Sequence, residues 1–576
     1  MKPHIYTIIG MNLATSPYMQ LLLFIRKHWK KLLSIIGILI FLLIGTNWYL
    51  NQRWNRTLRI QLREYVTAMS DSLYTLKYAN LQLNILTGSL TLDQVSLVPD
   101  TTVYARLQSG HRAPSLVYTI SMDQLQLRHF RVWRYFLFKE LNAGSLSFIN
   151  PNVLLEEHRD NIDSSQHKSA YENISGKIRQ IAIGDLQLDN TNLKYLLYQK
   201  GKHQVITQLQ ELRIRIRDLL IDAASLEDPT RYLYARNYEF NLKHYRYPSA
   251  DSLYLIGVRD ISYNAADQEL TLGSCYVKPR YEQAAFDRLA VTQRDRFDVN
   301  LRHIVIHQLH PKKLLQDQQI WARSVHIGNG SIDIYRNRSL PMPPGNKLGQ
   351  YPNQLLHKLD LPVMIDSLIG RKVTVQYTEL SPVSQQLGKL ELNEVNGTFT
   401  NITNIDSMVS KNNHCIARFD ALAMKNGKLR ATFDFLLADK SGRFAVDGQI
   451  KSMDGRTLNP VTKPLGMVEV KSCNIQDLTF KIRGDEHRAS GEVKLIYDHL
   501  KIAILKTDEK THEFKRKGLL SLFANALVID DSNPLPGQAV RVTHPKFTRD
   551  IRKSFFNLVW KTLFTGVKET VGAGNI

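Results

Sequence analysis

The chain has 576 residues, 43% of them hydrophobic, with three cysteines and a formal net charge of +22. Such a length allows several domains with an ample core, and the charge favours anionic partners such as phospholipid head groups or acidic polysaccharide. Three scattered cysteines, Cys275, Cys415 and Cys473, exclude a disulfide framework and read as buried free thiols. The cations run along the whole chain with no RNA-binding, zinc-finger or helix-turn-helix pattern, so nucleic acid is not expected as a partner.

From the start, residues 1–31 read as a cytoplasmic segment and 32–50 as a transmembrane signal anchor. Leu32 to Leu50 carries no charge. As a helix of about 28 Å it nearly matches a bilayer core of about 30 Å. Trp29 lies before it, and Trp48 and Tyr49 at its far end are the expected interfacial contacts. A cleaved signal peptide is the alternative, but no small-residue cleavage site is evident. Basic residues flank both ends, so the charge count does not fix the orientation. Residues 51–72 read as a juxtamembrane helix.

Beyond it the dominant period is two. Leu81-Gln-Leu-Asn-Ile85, Leu125-Gln-Leu127, Ile181-Ala-Ile183, Leu186-Gln-Leu188 and Leu390-Glu-Leu392 alternate, and Leu212 to Arg217 reads LRIRIR. These are strands buried on one face, separated by turn signals such as Thr87-Gly88, Asn150-Pro-Asn152, Asn329-Gly330 and Asn396-Gly397. The expected sheet is antiparallel.

The chain also repeats itself after about 180 residues. GSLTLDQVSLVPD (Gly88 to Asp100) matches QELTLGSCYVKPR (Gln268 to Arg280). Tyr118 to Glu157 aligns without a gap on Phe297 to Arg336, placing Leu125 and Leu127 on Ile304 and Ile306, and Leu146 and Phe148 on Val325 and Ile327. Leu186, Leu193 and Tyr195 correspond to Leu368, Val375 and Tyr377. Short helices are expected at Arg131 to Leu141 and Pro311 to Gln318, the same place in each copy. The expected organisation is a first β repeat over 73–250, a second over 251–430, and a closing β segment over 431–545. An amphipathic helix over 546–576 follows the break at Asn533-Pro-Leu-Pro-Gly537. In that helix Ile551, Phe555, Leu558, Val559, Leu563 and Val567 form one stripe. Phe555, Phe556, Trp560 and Phe564 are the expected membrane contacts. A helix capping the open end of the sheet needs the same stripe.

A half-buried strand needs cover for its apolar face. A second sheet supplies it in a sandwich; a curled sheet forms a trough whose lining meets apolar cargo. Stacked repeats favour the trough. At about one strand per 20 residues, about 500 residues make about 25 strands, and at about 4.8 Å spacing one sheet reaches about 120 Å.

Four stretches carry a family likeness: YANLQLNILTGSLTLDQVSLVP (Tyr78 to Pro99), the strand–helix–strand run from Gln124 to Leu155, IAIGDLQLDNTNLKYLLYQ (Ile181 to Gln199) with its echo at Leu361 to Glu379, and GEVKLIYDHLKIAIL (Gly491 to Leu505). Together they resemble the AsmA-like family of bridge-like lipid-transfer proteins of the bacterial envelope. The resemblance implies a single-pass inner-membrane anchor with the bulk in the periplasm, a repeating β-groove, and movement of phospholipid toward the outer membrane.

The expected fold is therefore mainly β: an elongated antiparallel sheet curled into a groove, with one N-terminal transmembrane helix and a C-terminal amphipathic helix. The expected groove lining is Leu81, Leu83, Ile85, Leu90, Leu92, Leu125, Leu127, Ile183, Leu186, Leu188, Ile214 and Ile216, with Arg213, Arg215 and Arg217 outside. Partners are phospholipid, the inner membrane, and the outer membrane or an envelope partner at the C-terminal helix. No nucleophile elbow, phosphate-binding loop, zincin motif or Cys-x-x-Cys is found, so no catalytic residue, metal or cofactor is expected. The rival reading is a non-enzymatic envelope scaffold built from β-sandwich domains.

Overall fold

The computed structural model describes residues 62–64, 66–68, 70–158, 170–176, 178–199, 202–225, 227–508, 513–518 and 529–573. The expected anchor at 32–50, with Trp48 and Tyr49, lies outside them, as does most of the expected juxtamembrane helix. Among the described residues no helix is long and apolar enough to cross a membrane.

The fold is mainly β, with 56% of the described residues in strands of a large mixed sheet. The described residues fall into two compact units. One runs to Gln187 and takes in Leu196–Gln204; the other holds Leu188–Tyr195 and everything from Val205 on. The division falls within β7 (Gln180–Gln199) and the start of β8 (Lys202–Ile221).

In the first unit, β1 (Tyr74–Lys77) and β2 (Asn80–Asn84) both pair with β3 (Ser89–Pro99), which pairs with β4 (Leu116–Arg128). β4 then pairs with β5 (Glu140–Ile149) and β6 (Asn152–His158), the Asn150–Pro151 break dividing them. Helix α1 (Thr101–Ser109) joins β3 to β4, and α2 (Val132–Phe138) joins β4 to β5.

In the second unit, β9 (Asn237–Pro248), β10 (Tyr254–Asn264), β11 (Glu269–Pro279), β12 (Asp295–His307) and β13 (Ile320–Asn337) follow β8 as antiparallel neighbours. Helices α3 (Gln283–Ala290) and α4 (Pro311–Leu315) sit where α1 and α2 sit in the first unit. The short helices expected near 131–141 and 311–318 are thus found. α1 and α3, equally matched in place, are nine and eight residues long, too short for the period to declare them.

The two copies agree in register. Leu90 pairs with Leu127 and Leu92 with Leu125 in one; Leu270 pairs with Ile306 and Leu272 with Ile304 in the other. Leu125 and Leu127 face Phe148 and Leu146, and Ile304 and Ile306 face Ile327 and Val325. Positions aligned by sequence alone are therefore cross-strand partners in both units.

One expectation is corrected. β13 runs parallel to β14 (Val363–Leu380) from Ile320↔Val363 to Asn337↔Leu380, so the sheet is not purely antiparallel. The connection 338–362 with its helical turn Pro352–His357 carries the chain back to the same end, as a parallel pairing requires. β15 (Leu387–Thr403), β16 (His414–Ala423), β17 (Gly427–Leu436), β18 (Phe444–Asp454), β19 (Val468–Gly484) and β20 (Arg488–Thr507) then continue antiparallel.

The period-two pattern carries a regular interruption. Apolar positions step by three at Leu92 to Val95, Val258 to Ile261, Leu272 to Cys275, Leu301 to Ile304 and Gly370 to Val373. A regular strand puts residues three apart on opposite faces. In four of these gaps the chain turns left-handed, at Gln94, Asp260, His303 and Lys372, with φ between 47° and 52°. Opposite Asp260 and His303 stand Gly273 and Gly328, where a Cβ would come within 2.9 Å of those side chains. The left-handed residues break the pleat in β3, β10, β12 and β14, as bulges do, and bend the sheet locally. Paired apolar positions resume on the far side, at Val258↔Cys275 and Cys275↔Leu301.

Candidate functional site: an apolar sheet face with a charged rim

Cross-strand pairing in the second unit strings apolar side chains into rows. One row runs Ile214–Phe240–Tyr263–Leu270–Ile306–Val325 from β8 to β13 and on through Leu368–Phe399–Ala417–Phe433–Val446–Ile482 to β19. The row two residues along begins Leu242–Ile261–Leu272–Ile304–Ile327 and ends Gly448–Phe480–Val493. Gly397 and Gly448 fall in it because the rings of Phe419 and Phe480 lie across them; a Cβ at 397 would be 2.6 Å from the Phe419 ring. The alternate positions are mostly polar, Ser262, Thr271, His326, Thr398, Arg418, Thr432, Asp447 and Lys481, with Val305 and Ile369 as the apolar exceptions.

The cover on this face differs along its length. At β17 to β20 helix α5 (Phe555–Thr570) lies on it. Phe555, Leu558, Val559 and Leu563 join Phe444, Val446, Phe480, Ile482 and Val493 in one closed core. Gly566 lets the helix approach: a Cβ there would stand 2.7 Å from the Val493 side chain. From β11 to β15 the face is half-buried at Leu270, Leu272, Ile306, Ile327, Leu368 and Phe399 and buried at Ile304 and Val325.

Of the expected membrane aromatics, Phe555 is corrected to a core residue, 3% exposed, ringed by Tyr351, Phe435 and Phe444. Phe556, Trp560 and Phe564 are 65%, 48% and 41% exposed, and the last two stack at 5.8 Å. The helix thus has two apolar faces, one on the sheet and one outside.

The expected lining divides in the same way. In the first unit Leu81–Leu92–Leu125–Phe148 and Leu83–Leu90–Leu127–Leu146 form two rows across β2 to β5. Leu81 and Leu92 are buried in a small core with Tyr78 and Val95; Leu83, Leu90, Leu125 and Leu127 are half-buried. Ile85 is corrected: it lies in the turn after β2 and is not a strand position. On β7, Ile183 is buried and Leu186 and Leu188 are half-buried. Ile214 and Ile216 are half-buried in the second unit, opposite Phe240 and Tyr238. Arg213 and Arg217 are exposed and Arg215 is half-buried; Arg217 pairs with Glu239 at 2.8 Å.

At one end of β12–β14 the apolar rows stop at charge. Phe297–Ile334–Tyr377–Leu390 is followed two residues on by Asp295–Arg336–Glu379. Arg336 and Asp295 make a two-pronged ion pair at 2.7 and 2.6 Å, Arg338 reaches Glu379 at 2.9 Å, and the Tyr377 hydroxyl donates to Glu379 at 2.7 Å. Burial, reinforced by the Glu379 carboxylate, holds the Tyr377 phenol well above its usual range.

The three cysteines are free. Burial pushes Cys415 up to about 11 and Cys473 up to about 12, so both stay protonated thiols. Among the described residues no group of three or more His, Cys, Asp or Glu side chains could hold a metal ion.

No protein-family model and no curated protein matches the chain.

Proposed function

We propose that the chain carries phospholipid along an apolar β-groove, as a membrane-anchored envelope protein working between the inner and outer membranes. The observation that supports it is the set of apolar rows in the second unit, continuous over twelve strands and, from β11 to β15, half-buried at most positions although Ile304 and Val325 are buried. Moving acyl chains along such a face needs no bond-making chemistry, only a continuous low-cost surface. Twelve strands at about 4.8 Å spacing make a face about 50 Å long, more than the length of one lipid. The matched register of the two copies supports an origin by duplication of one groove unit.

A second reading, a non-enzymatic scaffold, is favoured by one observation. Under α5 the same face is ordinary closed core. Reconstituted transfer of labelled phospholipid between vesicles separates the two. The transport reading expects transfer that Leu368→Asp abolishes while the protein stays folded. No transfer by the folded wild-type chain would favour the scaffold.

A further inference from the structure

The charged row at the end of β12–β14 has two lysines beside it that the ion pairs of the row do not use. Lys347 lies in the connection after β13, and Lys553 just before α5. One buried arginine holds both. The Arg549 guanidinium donates to the carbonyls of Lys347 at 3.0 Å and Lys553 at 2.9 Å, and to that of Glu486 at 3.0 Å, while stacking 4.6 Å from the Tyr351 ring centroid. The Lys347 amide also donates to the Ile551 carbonyl at 2.7 Å. The two lysines are therefore fixed by backbone, not left on loose loops.

Their ammonium groups are placed against the usual logic of surface charge. Among the described residues neither Lys347 nor Lys553 has a carboxylate within ion-pair distance, whereas Arg336 and Arg338 have theirs. Lys553 Nζ lies 3.3 Å from the Met342 sulfur, a weak acceptor for an ammonium. Burial and the neighbouring Arg336 hold the Lys347 ammonium below its usual range; burial, then Arg338 and Arg336, do the same to Lys553. Around the two lysines Arg336, Arg338 and Arg549 stand against the carboxylates Asp295, Glu379 and Asp550, so cations outnumber carboxylates at the edge of an apolar face. Each lysine is part-buried beside a like-charged arginine with no carboxylate of the described residues at ion-pair distance, which costs free energy that an anion would recover.

We infer that Lys347 and Lys553, beside the Asp295–Arg336–Glu379 row, form a binding site for a phosphate group, set so that a phospholipid's acyl chains lie on the Phe297–Ile334–Tyr377–Leu390 row. The lipid part of this assignment depends on the transport reading; the phosphate part does not. The two lysines supply point-charge donors to the phosphate oxygens. The paired arginines keep the rim positive without taking the anion themselves. A lipid lacking phosphate would gain the apolar contact and lose the rim.

The test uses the full chain in detergent, with phosphatidylglycerol and diacylglycerol of the same acyl composition as competing probes and native mass spectrometry as the readout. The wild type is expected to prefer phosphatidylglycerol by about tenfold or more. Lys347→Gln/Lys553→Gln brings that ratio close to one with diacylglycerol uptake unchanged. Lys411→Gln/Lys451→Gln, which removes the same charge from exposed positions elsewhere, leaves the preference intact. A Lys347→Gln/Lys553→Gln protein that melts like wild type and keeps the preference overturns the site. If the wild type takes up neither lipid, the transport reading fails and inorganic phosphate decides the rest. Phosphate binding by calorimetry that the double variant loses keeps a site for a soluble anion, and no phosphate binding overturns it.

Discussion

Tyr74 and Tyr254 make the same hydrogen bond in the two units. The Tyr118 amide donates to Tyr74 Oη at 3.2 Å, and the Phe297 amide donates to Tyr254 Oη at 3.3 Å. Each tyrosine is buried at the start of its strand opposite an equivalent proline, Pro99 or Pro279. Tyr118 and Phe297 are themselves aligned by the repeat, so the duplication reaches individual side-chain bonds. Replacing either hydroxyl leaves a half-buried amide without its acceptor. Tyr74→Phe is expected to cost about 1 kcal/mol in denaturant melts, and Tyr254→Phe, whose hydroxyl also donates to the Asp295 carbonyl at 2.9 Å, at least as much. A cost at one site and none at the other would mean the bonds are not equivalent.

Alkaline pH tests the same burial. Tyr74, Tyr238, Tyr263 and Tyr351 are all pushed up to about 12, chiefly by burial. A phenol whose folded value lies above its unfolded value of 10.0 stabilises the fold fully below pH 10. That stability is lost as pH rises from 10 toward about 12, because the unfolded chain ionises first. The melting temperature is therefore expected to hold up to pH 10 and then fall, with Tyr absorbance at 295 nm rising along with unfolding and not before it.

The C-terminal helix is expected to answer differently on its two faces. Leu558→Asp buries a charge under α5, and Gly566→Val drives a side chain into Val493; the second is expected to cost about 1–3 kcal/mol and the first more. Trp560→Ala/Phe564→Ala lies on the outer face, where stability changes stay within about 0.5 kcal/mol. Its expected loss is in flotation with anionic vesicles. Equal flotation of variant and wild type would remove these aromatics from the membrane.

Thiol chemistry checks the second unit's interior. At pH 8 Cys415 and Cys473 are expected to react with an aromatic disulfide at least about tenfold more slowly than in denaturant, because burial keeps them protonated. Fast native reaction of either would place it outside the core.

How much of this could be read beforehand follows from where the signal lies. The alternation of Leu81–Leu83 and Ile214–Ile216 gave away the strands and their apolar face, and the shared residues Leu90/Leu270 and Leu92/Leu272 gave away matching registers. Three things were hidden. The step of three at Val258–Ile261 or Leu301–Ile304 is present in the residues, but period-two counting takes it for an interruption; its cause is a left-handed residue such as Asp260 or His303. The parallel pairing of β13 with β14 depends on a connection whose path no alternation encodes. The rim depends on Lys347 and Lys553, which reach the strand residue Arg336 through contacts between two distant loops, Arg549 on both lysine carbonyls and the Lys347 amide on the Ile551 carbonyl. Phe555 and Phe556 are neighbours in the same aromatic run, and only packing against Phe444 sends one inward.

Native mass spectrometry of the full chain, released from detergent, tests the central claim most directly. The stretch 546–573 must be kept, because α5 completes the core. The account predicts several phospholipid molecules per chain, reduced by Leu368→Asp. A lipid-free mass from a protein with a folded circular dichroism spectrum would contradict it.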